Sequence, residues 1–530
     1  MKKIFKSSIK SFDIIALLFS VFWIVILLFD YLNKHPVYFD SIVNFRYSGL
    51  ILFFIVLGVS WTWLIHSKAV GTKKKNLLIP LTVLTFPISI IAMVFAYDEY
   101  YASSIVLEDY LHLLGLSFYV ISAVFILLFS CYCFGVQLSQ KLLVKKIMSK
   151  SHYTIDLSIG IILVTFLLFI LGSMHFLNFW TCALLIFLPI GVNYKVASEG
   201  FKNIWSYNPD FSKFQLAILF TCGIFCVLQF VFILGPYPLG FDSRNYYLNI
   251  PKLIAENNGL VRGFQPYNWE LFMSVGLVLF KKMQVSMLLS QIGGVLASAS
   301  AYALARSYIK LNKTHALLIS LLILITPAIS RHMYIELKVD LALLYFQLVT
   351  IHIFLSHLLY KNKTRNSHIV FSVVLGVFLG YGLGLKLLHF FLIFGLFVAL
   401  SLDKRKVLAL GFIILIGLGL VFLLRLDEQT GLRSYHKNVD LLSYVLIALG
   451  LFCGGILLYK DFQKGKKLFT QLGIILFTTI FTFSPWVVKT YYETGRTDLL
   501  GLIRGSGGGH HFDNKKITEI YNKMIEGENE

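Results

Sequence analysis

Apolar runs of about 20 residues recur along most of this 530-residue chain, and they constrain its fold more than any other feature. A segment that crosses a bilayer must satisfy its own backbone polar groups, so runs of this length predict transmembrane helices. The composition agrees, because only 14% of the residues are charged, against about 25% in an average soluble domain. We therefore predict an all-α polytopic bundle with about fifteen spans.

The predicted spans are joined by short polar loops, except at 236–268, where a long polar stretch interrupts the series, and at 269–281, where an amphipathic segment follows. The spans lie near residues 12–31, 47–65, 76–97, 111–136, 155–173, 178–194, 215–235, 284–306, 314–330, 338–359, 368–385, 387–402, 407–425, 441–459 and 468–485. The part from 368 to 402 is the least regular, because glycines and a lysine interrupt its apolar run.

Lysine and arginine mark alternate loops of the predicted bundle. With the N terminus in the cytoplasm, every short loop on that side is basic, as the positive-inside rule requires. This orientation predicts a multi-pass protein of a bacterial-type inner (plasma) membrane, with the loop at 236–283 and the C-terminal tail outside the cytoplasm. The formal charge of +20 is then a consequence of topology, and we predict no nucleic-acid partner.

The polar segments divide the chain into three predicted parts. Residues 1–200 form a six-span N-terminal module to which we assign no role. Residues 201–485 form a membrane core that carries the outer loop 236–283, and residues 486–530 form an extracytoplasmic tail. All six cysteines lie inside apolar runs, which indicates inert core thiols rather than disulfides or zinc ligands.

The long outer loop contains charged residues that are candidates for catalysis. Asp242 lies just past the end of a predicted span and is succeeded by Arg244 and Tyr246, while Arg262 and Glu270 close the loop. Its aromatic residues and prolines indicate helices on the membrane surface, although a solvated loop with ordinary turns is the alternative. Because the two acids bracket the segment at its membrane ends, both could face one cavity. We predict a catalytic Asp242 with Glu270 in support.

Two further outer positions carry charge at the edge of apolar runs. Glu336 and Asp340 are four residues apart, which predicts that they share one helical face. The helix dipole alone would favour acids there, but acids at membrane depth usually face a functional cavity, and we favour Asp340 as lining it. Lys386 follows a glycine-rich run. It either snorkels to the headgroups or supplies a cation for a lipid-linked phosphate, with the glycines admitting a bulky lipid.

Four short motifs together resemble those of a known family. An acid follows a span in GFDSRNYY, another opens a span in VDLALLYF, a glycine-rich span leads to lysine in GYGLGLKLL, and SPWVVKTYYETGRT follows a late span. Their order resembles that of polytopic GT-C-type glycosyltransferases, which include protein O-mannosyltransferases, the lipid A aminoarabinose transferase and related lipopolysaccharide enzymes. The resemblance covers about residues 215–500. Thr490 and the pair Arg496-Thr497 depart from the family pattern.

The resemblance implies a GT-C-like core and an activity. A sugar would pass from a polyprenyl-phosphate donor in the bilayer to a hydroxyl of a lipid, glycan or protein acceptor. Asp242 would act as general base, and the configuration at the anomeric carbon would invert. Lys386, with Arg262 or Arg244, would stabilise the departing phosphate.

The remaining candidates would hold substrate. Glu270 and Asp340 would orient the acceptor or hold a divalent metal ion, which is the only cofactor that the resemblance implies. Tyr246 and Glu336 are predicted to contact substrate.

Two other functions are compatible with a many-span protein. An O-antigen polymerase or ligase usually depends on outer-loop arginines, and this loop has only Arg244 and Arg262. A flippase or transporter for lipid-linked sugars would need charged or broken helices at the bilayer midplane, whereas the predicted spans carry almost no charge there. A Gly-rich phosphate loop is not evident, which argues against a nucleotide used from the cytoplasm.

Overall fold

The computed structural model describes most of the chain after residue 106. The described residues are 107–141, 153–206, 240–261, 266–359, 365–403, 407–423, 439–460 and 462–494, with single residues between 212 and 238. The predicted spans near 12–31, 47–65 and 76–97, Arg262, and the chain after Thr494 lie outside them. Within these ranges every regular element is a helix, which confirms the all-α prediction for this part of the chain.

The helices are numbered here in chain order. They are α1 (Leu107–Lys141), α2 (Tyr153–Ser173), α3 (Phe179–Val192), α4 (Tyr194–Ser206), α5 (Asn249–Asn257), α6 (Asn268–Met273), α7 (Val275–Val278), α8 (Met283–Ser307), α9 (Lys313–Ile325), α10 (Pro327–Tyr334), α11 (Asp340–Leu359), α12 (Arg365–Leu385), α13 (Phe390–Asp403), α14 (Val407–Leu423), α15 (Val439–Lys460) and α16 (Phe462–Thr494). A π-helix (Ser243–Tyr247) precedes α5, and a 3₁₀ helix (Leu387–His389) precedes α13.

Seven of the described helices are long and apolar enough to cross a membrane, namely α1, α2, α8, α11, α12, α15 and α16. Two bent pairs would raise the number to nine: α3 with α4, at 77°, and α9 with α10, at 64°. Several apolar helices of spanning length agree with an integral membrane protein. The total of about fifteen spans stays a prediction.

Helix α4 leaves the direction of α3 at a defined junction. An asparagine cap begins α3, because the side chain of Asn178 accepts hydrogen bonds from the first-turn amides. After the 77° bend, Gly200 of α4 lies against the rings of Phe129 and Tyr132 on α1. Phe201 and the two lysines of α4 remain exposed. Helix α4 therefore has one face packed on α1 and one exposed face that carries both apolar and charged side chains.

Glycines allow α12 and α16 to pack closely. A side chain at Gly376 would overlap Thr478, and one at Gly380 would overlap the backbone of Thr479. This is the small-residue contact typical of membrane helices. Gly384 similarly faces the side chain of Asn268. The glycine-rich run therefore packs against protein, and the prediction that it admits a bulky lipid was wrong.

Gly380→Ala should destabilise the bundle. Alanine is the better helix former, but its methyl group would meet the Thr479 carbonyl, and overpacking of this kind costs about 1–3 kcal/mol. We expect a lower Tm in detergent. Gly473→Ala on α16 is the matched control, because no heavy atom lies within 4 Å of its added methyl group. Equal Tm values for the two variants would contradict the close contact.

Helix α16 ends later than predicted. It continues through Pro485 to Thr494, so the predicted start of the tail at 486 was wrong. Proline leaves the carbonyl of Phe481 without its helical amide donor, and the hydroxyl of Ser484 donates to that carbonyl at 2.8 Å. Trp486 is also buried. Packing of this last part explains why it stays helical rather than joining a soluble tail.

The segment at 269–281 is not an exposed amphipathic piece. All six residues of α6 are buried, because the helix packs among α2, α5, α8 and α12. Helix α5 does match the predicted surface helix, with Ile250 and Ile254 buried and Lys252 exposed. Thus one helix of the long loop is amphipathic, and the next is a buried element that carries Glu270.

Candidate functional site

The predicted outer segments meet at one end of the bundle. The amide of Gly240 donates to the carbonyl of Ile335 at 2.8 Å, which joins the long loop to the segment before α11. The indole of Trp486 donates to the side-chain oxygen of Asn268 at 2.8 Å, which joins α16 to α6. These contacts agree with the alternation of loops that the basic residues predicted.

Asp340 and Lys386 form an ion pair at this end. Asp340 is the first residue of α11, where the helix dipole favours an acid. Lys386 interrupts the helical backbone after α12 in an extended conformation. Its Nζ lies 2.7 Å from Oδ1 of Asp340, with about a third of each side chain exposed. Two residues that the sequence singled out separately are therefore in contact.

Asp242 pairs with a lysine that had received no predicted role. Its Oδ2 lies 2.7 Å from Nζ of Lys338, and 46% of the Asp242 side chain is exposed. Asp242 directly precedes the π-helix, an element frequently found at functional sites. The hydroxyl of Ser243 donates to the carbonyl of Ile335 at 3.0 Å. Asp242 is therefore held at the site without contacting Lys386 directly.

Glu270 is the buried acid of the group. Only 2% of it is exposed, and its Oε2 makes no hydrogen bond within the described part of the chain. Burial raises the pKa of Glu270 to about 8, and the nearby Asp340 carboxylate also raises it, against a lowering by Lys386. Glu270 is therefore protonated at neutral pH. Its carboxyl group can then donate a hydrogen bond as well as accept one.

Tyr247 connects the acids. Burial raises the pKa of its phenol most strongly, and Asp340, Glu270 and Asp242 raise it further. Three acids from separate segments thus act on one hydroxyl group. Tyr246 contacts Tyr247 edge to face, with the ring centroids 5.2 Å apart. Burial and the nearby Glu270 raise the pKa of Tyr246 as well. The acids of the long loop, of α6 and of α11 are thus near one side chain.

The other predicted site residues lie further out. Glu336 and Asp340 do not share a helical face, because α11 begins only at Asp340 and Leu337 has a positive φ of 42°. That prediction was wrong, and Glu336 instead pairs with Arg331 at 3.1 Å. Arg244 is exposed, and its Nε donates to the carbonyl of Pro238 at 2.8 Å.

A buried polar bridge holds α6 against α12 and α16. Asn268 accepts from Trp486 at 2.8 Å and donates to the carbonyl of Tyr381 at 3.0 Å. One turn along α16, Lys489 lies over the Trp486 ring and is paired with Glu493 at 2.8 Å. Since Glu270 is two residues from Asn268, this bridge fixes the helix that presents the buried acid.

The donors in this region do not make up an evident metal site. Within the described ranges, no three His, Cys, Asp or Glu side chains come together as ligands. Lys386 already supplies a positive charge to Asp340, and metal sites built from carboxylates usually need several oxygen ligands. We therefore derive no chemical step through a divalent ion.

Comparison of the chain with protein-family models, with curated proteins and with solved structures found no match. Function must therefore be inferred from the residues themselves, namely the four motifs quoted above and the charged groups that meet at one end of the bundle.

Proposed function

We propose that this protein is a membrane glycosyltransferase that moves a sugar from a polyprenyl-phosphate donor to an acceptor hydroxyl on the extracytoplasmic face. The observation that carries the proposal is the grouping of Lys386 and Asp340 with the buried Glu270, beside Tyr247 and Asp242. A cation for phosphate and acids for an acceptor are the groups that such a transfer requires. The order of the motifs points to the same chemistry.

In the proposed reaction, Asp242 takes the proton of the acceptor hydroxyl. The acceptor oxygen then forms a bond to the anomeric carbon, and the bond from that carbon to the phosphate oxygen breaks. Its electron pair stays on the phosphate, which leaves as a polyprenyl phosphate monoester. Attack opposite the leaving group inverts the anomeric configuration. The exposure of Asp242 gives an acceptor access to this base.

Lys386 stabilises the negative charge of the phosphate in this scheme. The phosphate takes the place of the Asp340 carboxylate at the ammonium group, since both are oxyanions that lysine binds as a point charge. Protonated Glu270 donates its unpaired hydrogen bond to an oxygen of the bound substrate. An interaction that becomes stronger as charge develops in the transition state lowers the barrier. An interaction that is equally strong in the ground state does not.

Asp242→Asn should lower the rate of sugar transfer by about a hundredfold or more, because asparagine cannot accept the proton. The assay uses purified protein in lipid nanodiscs with labelled polyprenyl-phosphate sugar. Glu256→Gln is the control, because this acid is exposed on α5 of the same loop and its ion pair among the described residues is the long one with Lys252, at 3.9 Å.

Two outcomes of this assay would count against the proposal. An unchanged rate in the Asp242 variant would remove this residue as the base. Movement of the labelled lipid across the bilayer by wild-type protein, without formation of a glycosidic bond, would identify a flippase instead.

A further inference from the structure

Lys338 is a second lysine at the proposed phosphate site. It stands two residues before Asp340, so their Cα atoms are at most about 7 Å apart. Asp340 in turn lies 2.7 Å from the ammonium group of Lys386. Lys338 is paired with Asp242 at 2.7 Å, and 24% of its side chain is exposed. Two lysine–acid pairs with the same N–O distance therefore involve residues two apart in the chain.

The backbone around Lys338 is held in an unusual conformation. Leu337 has a φ of 42° and is fully buried, a conformation that costs a non-glycine residue energy. On the other side, Gly240 and Ser243 both bond to the carbonyl of Ile335, and a side chain at Gly240 would overlap that carbonyl. Lys338 is thus fixed at the long loop.

Each pair has its acid near the same tyrosine. Burial raises the pKa of the Tyr247 phenol most, and the carboxylates of Asp340 and Asp242, one from each pair, raise it further. Tyr247 thus lies between the two segments that carry the pairs.

We propose that Lys338 and Lys386 together bind one dianionic phosphate monoester, which exchanges with the carboxylates of Asp242 and Asp340 at the two ammonium groups. This inference rests on the proposed sugar transfer, because the leaving group of that reaction is a phosphate monoester. The donor is a phosphodiester with one negative charge, whereas a monoester carries about two at neutral pH. The second lysine matches the charge that develops as the sugar leaves.

The test measures binding of polyprenyl phosphate and of its methyl ester, which carry two charges and one, to full-length protein in neutral-lipid nanodiscs. A charge-assisted hydrogen bond is strong enough that Lys338→Gln should weaken binding of the monoester about tenfold. Binding of the methyl ester should change little. Lys386→Gln should weaken both, and Asp242→Asn should strengthen binding of the monoester, because it removes the competing carboxylate.

Lys282→Gln is the matched control, since this lysine is exposed just before α8 and should leave both affinities unchanged. Inorganic phosphate separates a lipid ligand from free phosphate. At a hundredfold excess it should not displace the lipid, whereas effective competition would overturn the assignment to a lipid phosphate.

Three results would overturn the two-lysine site: equal losses for both lipids in Lys338→Gln, no loss at all, or no binding of the monoester by wild-type protein. If the Lys338–Asp242 pair serves only to join two segments of the protein, Lys338→Gln and Asp242→Asn should both lower Tm. Asp242→Asn should then not strengthen binding of the monoester. The transfer assay is separate. Selective binding without transfer would reject the proposed reaction alone, and transfer without selectivity would reject this inference alone.

Discussion

Lys386→Gln should reduce the rate of sugar transfer by about a hundred- to a thousandfold, the usual effect of removing one preorganised group that stabilises developing charge. Glutamine keeps most of the side-chain length but loses the positive charge that lies 2.7 Å from Asp340. Because the phosphate gains charge as the sugar leaves, the loss should fall on kcat more than on KM. The measurement is steady-state transfer from labelled donor in nanodiscs.

The control for this variant must separate charge at the site from charge in general. Lys282→Gln removes an exposed lysine and should retain full activity. Circular dichroism and size-exclusion profiles should match the wild type for both proteins. A Lys386 variant that folds and transfers sugar at the normal rate would contradict its role at the phosphate.

Glu270→Gln should remove a large pH dependence of stability. The pKa of Glu270 rises from 4.5 to about 8 in the folded protein, so folding retains a proton that the unfolded chain releases. Stability is therefore highest at low pH and falls as the pH rises from about 4.5 to about 8, by about 5 kcal/mol in total. Glutamine cannot ionise. Its variant should lack this fall and be the more stable protein above pH 8.

The pH effect can be measured as Tm in detergent between pH 5 and pH 9. Glu199→Gln is a suitable control, because this acid is exposed on α4 and its replacement should leave the slope unchanged. Equal slopes for wild type and Glu270→Gln would show that another group is responsible for the fall.

The spans within the described residues could be predicted closely from the sequence. The predicted segment 284–306 corresponds to α8 at Met283–Ser307, and 155–173 corresponds to α2 at Tyr153–Ser173. Apolar runs carry this information because lipid imposes the same requirement on every spanning helix. Segment ends were less predictable where protein replaces lipid, as at Trp486, which is buried within a helix although the tail was predicted to begin there.

The candidate site was predictable only in part. Charged residues at the ends of apolar runs are conspicuous, so Asp340 and Lys386 could be selected before their contact was known. Lys338 lies between two acids in ELKVD and looked like an ordinary loop charge. The backbone turns at Leu337, next to Lys338, where φ is positive. No local sequence pattern predicts this turn. Asn268 was missed for a similar reason, because its bonds join segments far apart in the chain.

The short length of α3 has a consequence for the lipid around the protein. Fourteen residues rise about 21 Å, whereas the hydrocarbon layer is about 30 Å thick. Because α4 turns away by 77°, it adds little to that height, and the bilayer beside α3 should become thinner to match. The amide of Leu177, just before α3, donates to the carbonyl of Asn258 at the end of α5. A bilayer crossed by α3 alone would therefore be thinner beside the loop that carries Asp242.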